Sequence, residues 1–430
     1  MYLADRSAPA GAKGAGGAAR RRAAAPTVLA LGAVSLVTDV SSEMVAAVLP
    51  LYLVAGLGLS PLGFGALDGV YNGVGALVQL AGGHLADRVR SHKLVAGLGY
   101  ALSAVCKPLL LFAHGLGPVA LVLALDRTGK GLRTAPRDAL ISLAAPAGAQ
   151  GRAFGVHRAM DTTGALLGPL AAFLVLSAAV GGYDAVFGVS ACVAALGVVV
   201  LVLFVPSGRA AAVPGAGSAV RPGGAGPRGP GLREAAALLR RPRLRSLAVC
   251  AALLGLTTVS DAFLYLLLQD RTGLGERWFP LLPLGTAAVF LLLAVPAGAL
   301  ADRIGRRAVF LAGHALLLAA YGLLLWAPDW QALPLLVLGL HGLFYAATDG
   351  VLPAAVAGAV PDGLRATGMA LVGTGQALAR FGCSLAFGAA WTVWGGGTAL
   401  AAAAAGLCCC AAFAWRALRP DGRGRRPSAP

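Results

Sequence analysis

Charged residues are scarce in this chain. Asp, Glu, Lys and Arg make up 12% of its 430 residues, whereas hydrophobic residues make up 58%. A soluble globular protein carries about twice that share of charge. The apolar runs recur along most of the sequence and are long enough to cross about 30 Å of hydrocarbon as helices. The shortage of charge therefore excludes a soluble globular protein and favours a membrane protein with many spans.

Motifs of several enzyme classes are also missing. There is no Gly-x4-Gly-Lys-Ser/Thr loop, which excludes the common P-loop form of nucleotide site. There is neither a His-Glu-x-x-His zinc motif nor a Gly-x-Ser-x-Gly nucleophile elbow, so a membrane-embedded hydrolase is not expected. The seven cysteines lie in apolar stretches without metal-ligand spacing to histidine, and we interpret them as small hydrophobic residues. The sequence therefore predicts no enzyme, no metal and no cofactor.

Twelve apolar segments are predicted as membrane-spanning helices in two groups of six. The first group forms a bundle over residues 26–205 and the second over 246–417. Residues 206–245 are rich in Pro, Gly, Ala and Arg, which predicts a flexible basic linker. Residues 1–25 and 418–430 are predicted to be basic tails, the first of them disordered. The helices are placed at 27–55, 62–86, 94–115, 117–143, 154–178, 184–205, 246–269, 278–301, 308–327, 331–359, 364–392 and 396–416.

Basic residues outnumber acidic ones by 35 to 18, which gives a formal net charge of +17. In a soluble protein this excess would suggest a nucleic acid partner. Here the basic clusters fall in the tails, the linker and the even-numbered connections, as the positive-inside rule requires of cytoplasmic segments. The charge therefore predicts a multi-pass protein of the bacterial inner (cell) membrane with both termini in the cytoplasm, and no nucleic acid partner.

Two short motifs recur at nearly the same offset. Gly-His-Leu-Ala-Asp-Arg at 83–88 returns as Gly-Ala-Leu-Ala-Asp-Arg at 298–303, which is 215 residues later. Arg-Ala-Phe-Gly at 152–155 is echoed by Arg-Ala-Thr-Gly at 365–368, which is 213 residues later. Duplicated halves are typical of secondary transporters, which bind their substrate between the repeats.

These features resemble the major facilitator superfamily of transporters. The segment 298–307 matches the family's cytoplasmic loop motif, whereas the copy at 83–88 is followed by Arg90 and Ser91 where the family has Gly and Arg. The resemblance implies an all-α membrane protein with twelve transmembrane helices in two pseudo-symmetric six-helix bundles. It also implies a cytoplasmic gate, which we expect to include Gly83, Asp87, Arg88, Arg137, Asp138, Gly298, Asp302, Arg303 and Arg306.

Two other segments carry the resemblance further. In the fifth helix, Gly155, Gly164, Gly168 and Pro169 fall at the spacing of the family's antiporter motif, with Ala172 in place of its last glycine. We expect this motif to permit a bend and close packing. The segments 38–44 (Thr-Asp-Val-Ser-Ser-Glu-Met) and 126–138 (Asp-Arg-Thr-Gly-Lys-Gly-Leu-Arg-Thr-Ala-Pro-Arg-Asp) resemble one bacterial branch of the superfamily, which does not indicate a cargo.

Ionised side chains at membrane depth are costly and are functional candidates by default. Asp39 and Glu43 lie near the middle of the first helix and share one of its faces because they are four residues apart. A carboxylate that takes up and releases protons near neutral pH is what proton coupling requires. The alternative is that both acids pair with basic groups of a neighbouring helix, and the two roles are compatible.

The fourth helix supplies such basic groups. Asp126, Lys130, Arg133 and Arg137 fall within a stripe about 60° wide, with Arg127 beside it. The stripe must face a cavity or a gate because lipid would not accept it. Its bases could bind an anionic substrate. Alternatively, Arg127 and Lys130 neutralise Asp39 and Glu43.

Four isolated polar residues complete the candidates. Asp261 on the seventh helix is a candidate cavity residue, and Asp68 and Asp161 are expected to pair within the charge network. Lys107 lies in an apolar span and is expected to snorkel outward.

The sequence thus predicts a monomeric secondary transporter in the lipid bilayer. Its leading function is proton-coupled export of a small organic molecule. Proton-coupled uptake or exchange of an organic anion is the alternative, and a non-transporting sensor on the same fold is a remote one. The proton and cavity candidates are Asp39, Glu43, Asp126, Arg127, Lys130, Arg133 and Asp261.

Overall fold

The structure is a computed structural model whose described residues form helices joined by short turns. It describes residues 26–72, 74, 78, 91–145, 150–179, 182–205, 238, 240–328, 330–361 and 365–418. The predicted N-terminal tail, nearly all of the predicted linker and C-terminal tail, and the gate residues Gly83, Asp87 and Arg88 lie outside the described residues.

The first half, residues 26–205, contains six described helices. The first continues beyond Leu51 as a π-helical turn, Tyr52–Gly56, and the third continues as a 3-10 turn, Leu110–Phe112. The helices are α1 (Pro26–Leu51), α2 (61–72), α3 (His92–Leu109), α4 (Leu116–Ala144), α5 (Gln150–Ala178) and α6 (Gly182–Phe204).

The second half, residues 240–418, begins with a helix at Pro242, inside the segment predicted as linker. A proline suits the first helical position because its missing amide hydrogen would have no partner there. The spans predicted at 246–269 and 331–359 are each divided in two. The helices are α7 (Pro242–Gly255), α8 (Asp261–Thr272), α9 (Leu281–Ile304), α10 (Arg306–Trp326), α11 (Leu333–Thr348), α12 (Val351–Ala357), α13 (Arg365–Trp394) and α14 (Gly396–Ala417).

Both divided spans have a local cause. Between α7 and α8, the Thr258 hydroxyl donates to the carbonyl four residues earlier at 2.8 Å, a contact that bends helices. Ser260 then adopts an extended backbone with ψ 144°. Between α11 and α12, Pro353 has no amide hydrogen to offer the carbonyl of Asp349. The first break places Asp261 at the first position of α8.

Eight described stretches are long and apolar enough to cross a membrane, four in each half. They are α1 with its π-helical turn, α3 with its 3-10 turn, α5, α6, α9 with the 3-10 turn Glu276–Trp278 before it, α10, α11 with α12, and α14. Among the others, α4 carries six ionised residues, α7 and α8 are short because their span is broken, and α2 is described only over 61–72. These less apolar helices, with α13, carry most of the polar groups described below.

Glycines of α5 allow it to pack closely against α1. A Cβ atom on Gly164 would lie 2.4 Å from the carbonyl oxygen of Leu36, and one on Gly168 would lie 2.6 Å from the Glu43 Cβ. Small residues at such contacts let helix backbones approach in a membrane. Gly155 has open space around it, and α5 continues as an α-helix through Pro169. The bending role of this motif stays a prediction.

The two halves meet at one end of the molecule. We call it the turn end, since it holds the short connections 57–60, 113–115 and 273–280, and call the opposite end, where α6 stops and α7 starts, the linker end. At the turn end the Leu62 amide donates to the Thr392 hydroxyl at 3.0 Å, and the Tyr183 hydroxyl donates to Glu276 at 2.9 Å. The described contacts between the halves thus close the turn end.

Candidate functional site

A cavity of about 600 Å³ lies between the halves. We call it the central cavity. The first half contributes α1, α2 and α5, and the second half contributes α8, α9, α11 and α13. Its ionisable side chains, Tyr aside, are Glu43, Asp68, Asp261, Asp349 and Arg380. The site therefore lies where the repeats of a transporter would place a substrate.

Asp39 and Arg133 form a buried ion pair between α1 and α4. The Arg133 guanidinium donates to the Asp39 carboxylate at 3.4 Å, and both side chains are buried. The same guanidinium lies 4.6 Å from the ring centre of Tyr100 on α3, a cation–π contact. The stripe of α4 thus faces α1, and the base that neutralises Asp39 is Arg133.

Glu43 pairs with Lys130 one turn further along the same two helices. The ammonium lies 3.7 Å from the carboxylate, and each side chain is about a third exposed. Glu43 also lines the central cavity, so of the two acids of α1, Asp39 and Glu43, it is the one that a solute can reach.

Asp126 neutralises two bases at once. It accepts a hydrogen bond from Lys107 at 2.9 Å and another from Arg127 at 2.7 Å. The Arg127 guanidinium also lies 4.0 Å from the ring centre of Tyr71. Two expectations are corrected here. Lys107 does not snorkel, since it is only 2% exposed, and Arg127 pairs with Asp126 rather than with an acid of α1.

Asp161 joins these pairs at the linker-end side. Arg137 lies 3.0 Å from Asp138 and 3.5 Å from Asp161, so it bridges α4 and α5. We call the whole set the first-half network: Asp39, Glu43, Lys107, Asp126, Arg127, Lys130, Arg133, Arg137, Asp138 and Asp161.

Asp261 is the corresponding acid of the second half. Its Oδ1 accepts a hydrogen bond from the Tyr345 hydroxyl at 2.6 Å and lies 3.3 Å from His341 Nε2. Its carboxylate sits at the start of α8, where the helix dipole stabilises negative charge. The side chain is 43% exposed and lines the central cavity.

Asp68 lines the central cavity and contacts the second half directly. It does not join the first-half network. Its carboxylate accepts from Ser384 Oγ at 2.6 Å and from Asn72 Nδ2 at 3.2 Å. Among the described residues, no base lies within ion-pair distance of it. Sequence reasoning missed Ser384, whose only signal was a small polar residue in an apolar span.

The second-half gate residues lie at the linker end. Asp302 is 73% exposed, and its partner among the described residues is Arg306, at 3.7 Å on the first residue of the next helix. Arg306 also donates to the Ala354 carbonyl of α12 at 2.6 Å, which satisfies an acceptor near the end of that short helix. Arg303 is exposed, and Gly298 is half-buried. At the linker end, the described contacts of these gate residues thus all lie within the second half.

The chain from residue 31 onward matches one protein family. The family model described as the Major Facilitator Superfamily matches residues 31–292 and 281–430. The chain belongs to the Major Facilitator Superfamily. It is a multi-pass membrane transporter, and the predicted all-α fold of this superfamily is confirmed.

Relatives and solved structures agree with this assignment. An MFS-type transporter of Methanocaldococcus jannaschii is 27% identical over 375 residues, which covers 85% of this chain and 88% of that protein. The nucleoside transporter NupG superposes with a TM-score of 0.74 over 92% of this chain and 99% of its own, at 15% identity. A bacterial homologue of the lysosomal transporter Spinster, solved inward-facing and unoccupied, gives a TM-score of 0.71 over 91% of this chain and 96% of its own, at 14% identity. Likeness at this identity shows the fold alone.

Proposed function

We propose that this superfamily member is a proton-coupled secondary transporter that exports a small organic molecule by alternating access. The observation that carries the proposal is the buried ion pair of Asp39 with Arg133 in the first-half network. It supports a role for the Asp39 carboxyl group in proton exchange, a single turn away from Glu43, which lines the central cavity.

Protonation of Asp39 can be transmitted to helix packing. Asp39 sits on α1 within the stretch that Gly164 and Gly168 of α5 contact at backbone distance. A proton on Asp39 removes its charge attraction to Arg133. Because close-packed helices respond by discrete shifts, a change in this pair is suited to bias two arrangements of α1 against α5.

The direction of transport rests on topology and resemblance. The basic tails and linker support a cytoplasmic position for the linker end in a bacterial inner membrane. With the turn end closed, the central cavity is then loaded from the cytoplasm. The Gly155 to Pro169 motif, which resembles that of exchangers, supports export against an inward proton flux.

Uptake or exchange of an organic anion is the second candidate. Arg380 favours it, since this base lines the central cavity and its Nε has no hydrogen-bond partner among the described residues. The bases of α4 add less than the sequence suggested, because each is beside a carboxylate of the first-half network.

The proposal is tested with purified protein in proteoliposomes that enclose a pH-sensitive dye. A library of cationic, neutral and anionic metabolites and drugs is added under an imposed pH gradient. We expect at least one solute to dissipate the gradient through wild type but not through Asp39→Asn, while solute exchange without a gradient persists in that variant. Glu43→Gln is measured in parallel. Unchanged pH dependence in both variants would remove the coupling role from α1.

A further inference from the structure

We propose that the central cavity recognises a small organic cation and that the Asp261 carboxylate is its principal ligand. This inference deepens the proposed function and rests on it, because it names the class of solute that the transporter carries. It arises from the charges on the cavity walls, the hydrogen bonds of Asp261 and the aromatic rings around it.

Acidic side chains outnumber basic ones on the walls of the central cavity. Among its described lining residues, Arg380 is the only Lys or Arg, whereas four are carboxylates. A cleft lined by one sign of charge attracts ligands of the other sign. The acids are Glu43, Asp68, Asp261 and Asp349.

The carboxylate of Asp261 is held on one side and open on the other. Its Oδ1 accepts from Tyr345 at 2.6 Å and lies near His341, whereas no described residue donates to its Oδ2. The side chain is 43% exposed toward the cavity. An anchored carboxylate with a free oxygen has a fixed orientation, and its negative charge attracts the positive charge of a ligand ammonium group.

His341 holds the Asp261 carboxylate from the side of the protein interior. Its side chain is 0% exposed, and its Nε2 lies 3.3 Å from Asp261 Oδ1. Because His341 is buried, a ligand reaches Asp261 from the central cavity.

Aromatic rings line the same cavity as Asp261. Ring faces attract ammonium and guanidinium groups because the π system is electron-rich. One of these rings is that of Tyr345, whose hydroxyl donates to Asp261. The aromatic lining residues are Tyr71, Tyr265, Phe279, Phe290 and Tyr345.

Asp68 gives the cation a second carboxylate on the opposite half. Its partners among the described residues are neutral groups, chiefly the donors Ser384 and Asn72. A cation between Asp68 and Asp261 would reduce the repulsion between the two acids and link the halves. The described residues contain no group of three His, Cys, Asp or Glu side chains that could hold a metal ion, so we assign the site to an organic cation.

The test measures binding to purified protein in detergent at pH 7 by calorimetry and thermal shift. The probes are benzyltrimethylammonium, its neutral carbon isostere neopentylbenzene, and benzenesulfonate. Because the ammonium charge of the first probe is permanent, pH acts only on the protein. We expect the cation to bind at least about tenfold more tightly than the isostere and the sulfonate to bind most weakly.

The variant Asp261→Asn should lower cation affinity about tenfold and leave isostere affinity unchanged. The matched control is Asp270→Asn, which removes an exposed carboxylate from the same helix and should bind like wild type. Asp68→Asn, on another helix, should also weaken cation binding. Equal affinity of wild type for cation and isostere, preference for the sulfonate, or unchanged cation affinity in Asp261→Asn would each overturn the proposal.

The wild-type comparison of the three probes decides the question even where a variant is unstable. The binding assay uses no pH gradient, whereas the proteoliposome assay accepts a solute of any charge. A failure of cation recognition is therefore distinguishable from a failure of proton coupling.

Discussion

The charged side chains inside the two halves of this transporter are paired to different extents. In the first half, five bases face five acids, and each of the ten groups has an ion-pair partner within the first-half network. The exposed Arg158 adds a base beside Asp161, whereas the buried Asp68, outside the network, has no ion-pair partner among the described residues. In the second half, the described ion pairs are the surface pair Asp302–Arg306 and the contact of His341 with Asp261. Arg380 has no carboxylate within ion-pair distance among the described residues.

The difference suggests a division of labour between the halves. Buried charges in ion pairs are fixed in position. Protonation of one carboxylate weakens every ion pair that this carboxylate forms. A carboxylate with a free oxygen, such as that of Asp261, can instead exchange partners with a solute. We therefore assign proton coupling to the first half and solute recognition to the second.

The largest expected effect is the loss of a base from the first-half network. Arg133→Met leaves the buried carboxylate of Asp39 without its counter-ion, and we expect a loss of about 3–5 kcal/mol in the free energy of unfolding. Thermal and denaturant unfolding in detergent measure it. The double variant Asp39→Asn/Arg133→Met removes both charges and should recover most of the loss. No recovery would contradict the assignment of the pair.

The same loss of a base should matter less in the second half. Arg380→Met removes a guanidinium that lines the cavity and lacks an ion pair among the described residues. We expect a cost of about 0.5–1.5 kcal/mol, the net value of a typical hydrogen bond. Unfolding is measured as for Arg133→Met. Equal losses for the two variants would break the comparison between the halves.

The contact between α1 and α5 gives a prediction of intermediate size. Gly168→Ala adds a methyl group that would lie 2.6 Å from the Glu43 Cβ, and overpacking of this kind costs about 1–3 kcal/mol. Gly155→Ala on the same helix is the matched control, because its methyl group meets open space. A helical Gly→Ala change there should be neutral or stabilise by up to about 1 kcal/mol.

The smallest expected effect on stability is at the second-half gate. Asp302 is 73% exposed and pairs with Arg306 at the surface, so Asp302→Asn should change the free energy of unfolding by about 0–1 kcal/mol. The same change should alter the labelling of cysteines introduced at the linker end. An unaltered labelling pattern would count against a gating role.

More of the charged contacts of the first half than of the second could be predicted from the sequence. The spacing of Asp39, Glu43 and the α4 stripe predicted that charged faces meet, because helical periodicity fixes which residues share a face. Periodicity does not fix the partner across the interface, so the alternative that paired Arg127 with an acid of α1 was wrong. Helical periodicity also does not show whether a side chain is buried inside the protein. The buried position of Lys107 was missed for that reason.

In the second half the polar residues are isolated, and no pattern connects them. Tyr345 and His341 meet Asp261 only because of folding between distant segments. The break before Asp261 was missed as well, since hydropathy is continuous across it. Asp68 and Ser384 are 316 residues apart in the sequence, so no local sequence pattern predicts their contact.

The most direct test of the division between the halves is a comparison of Asp39→Asn with Asp261→Asn in proteoliposomes. Each variant is assayed for solute accumulation driven by a pH gradient and for solute exchange at equal pH, with a solute identified by gradient dissipation. We predict that Asp39→Asn loses accumulation and keeps exchange, whereas Asp261→Asn loses both. Wild-type accumulation in Asp39→Asn, or wild-type exchange in Asp261→Asn, would contradict the account.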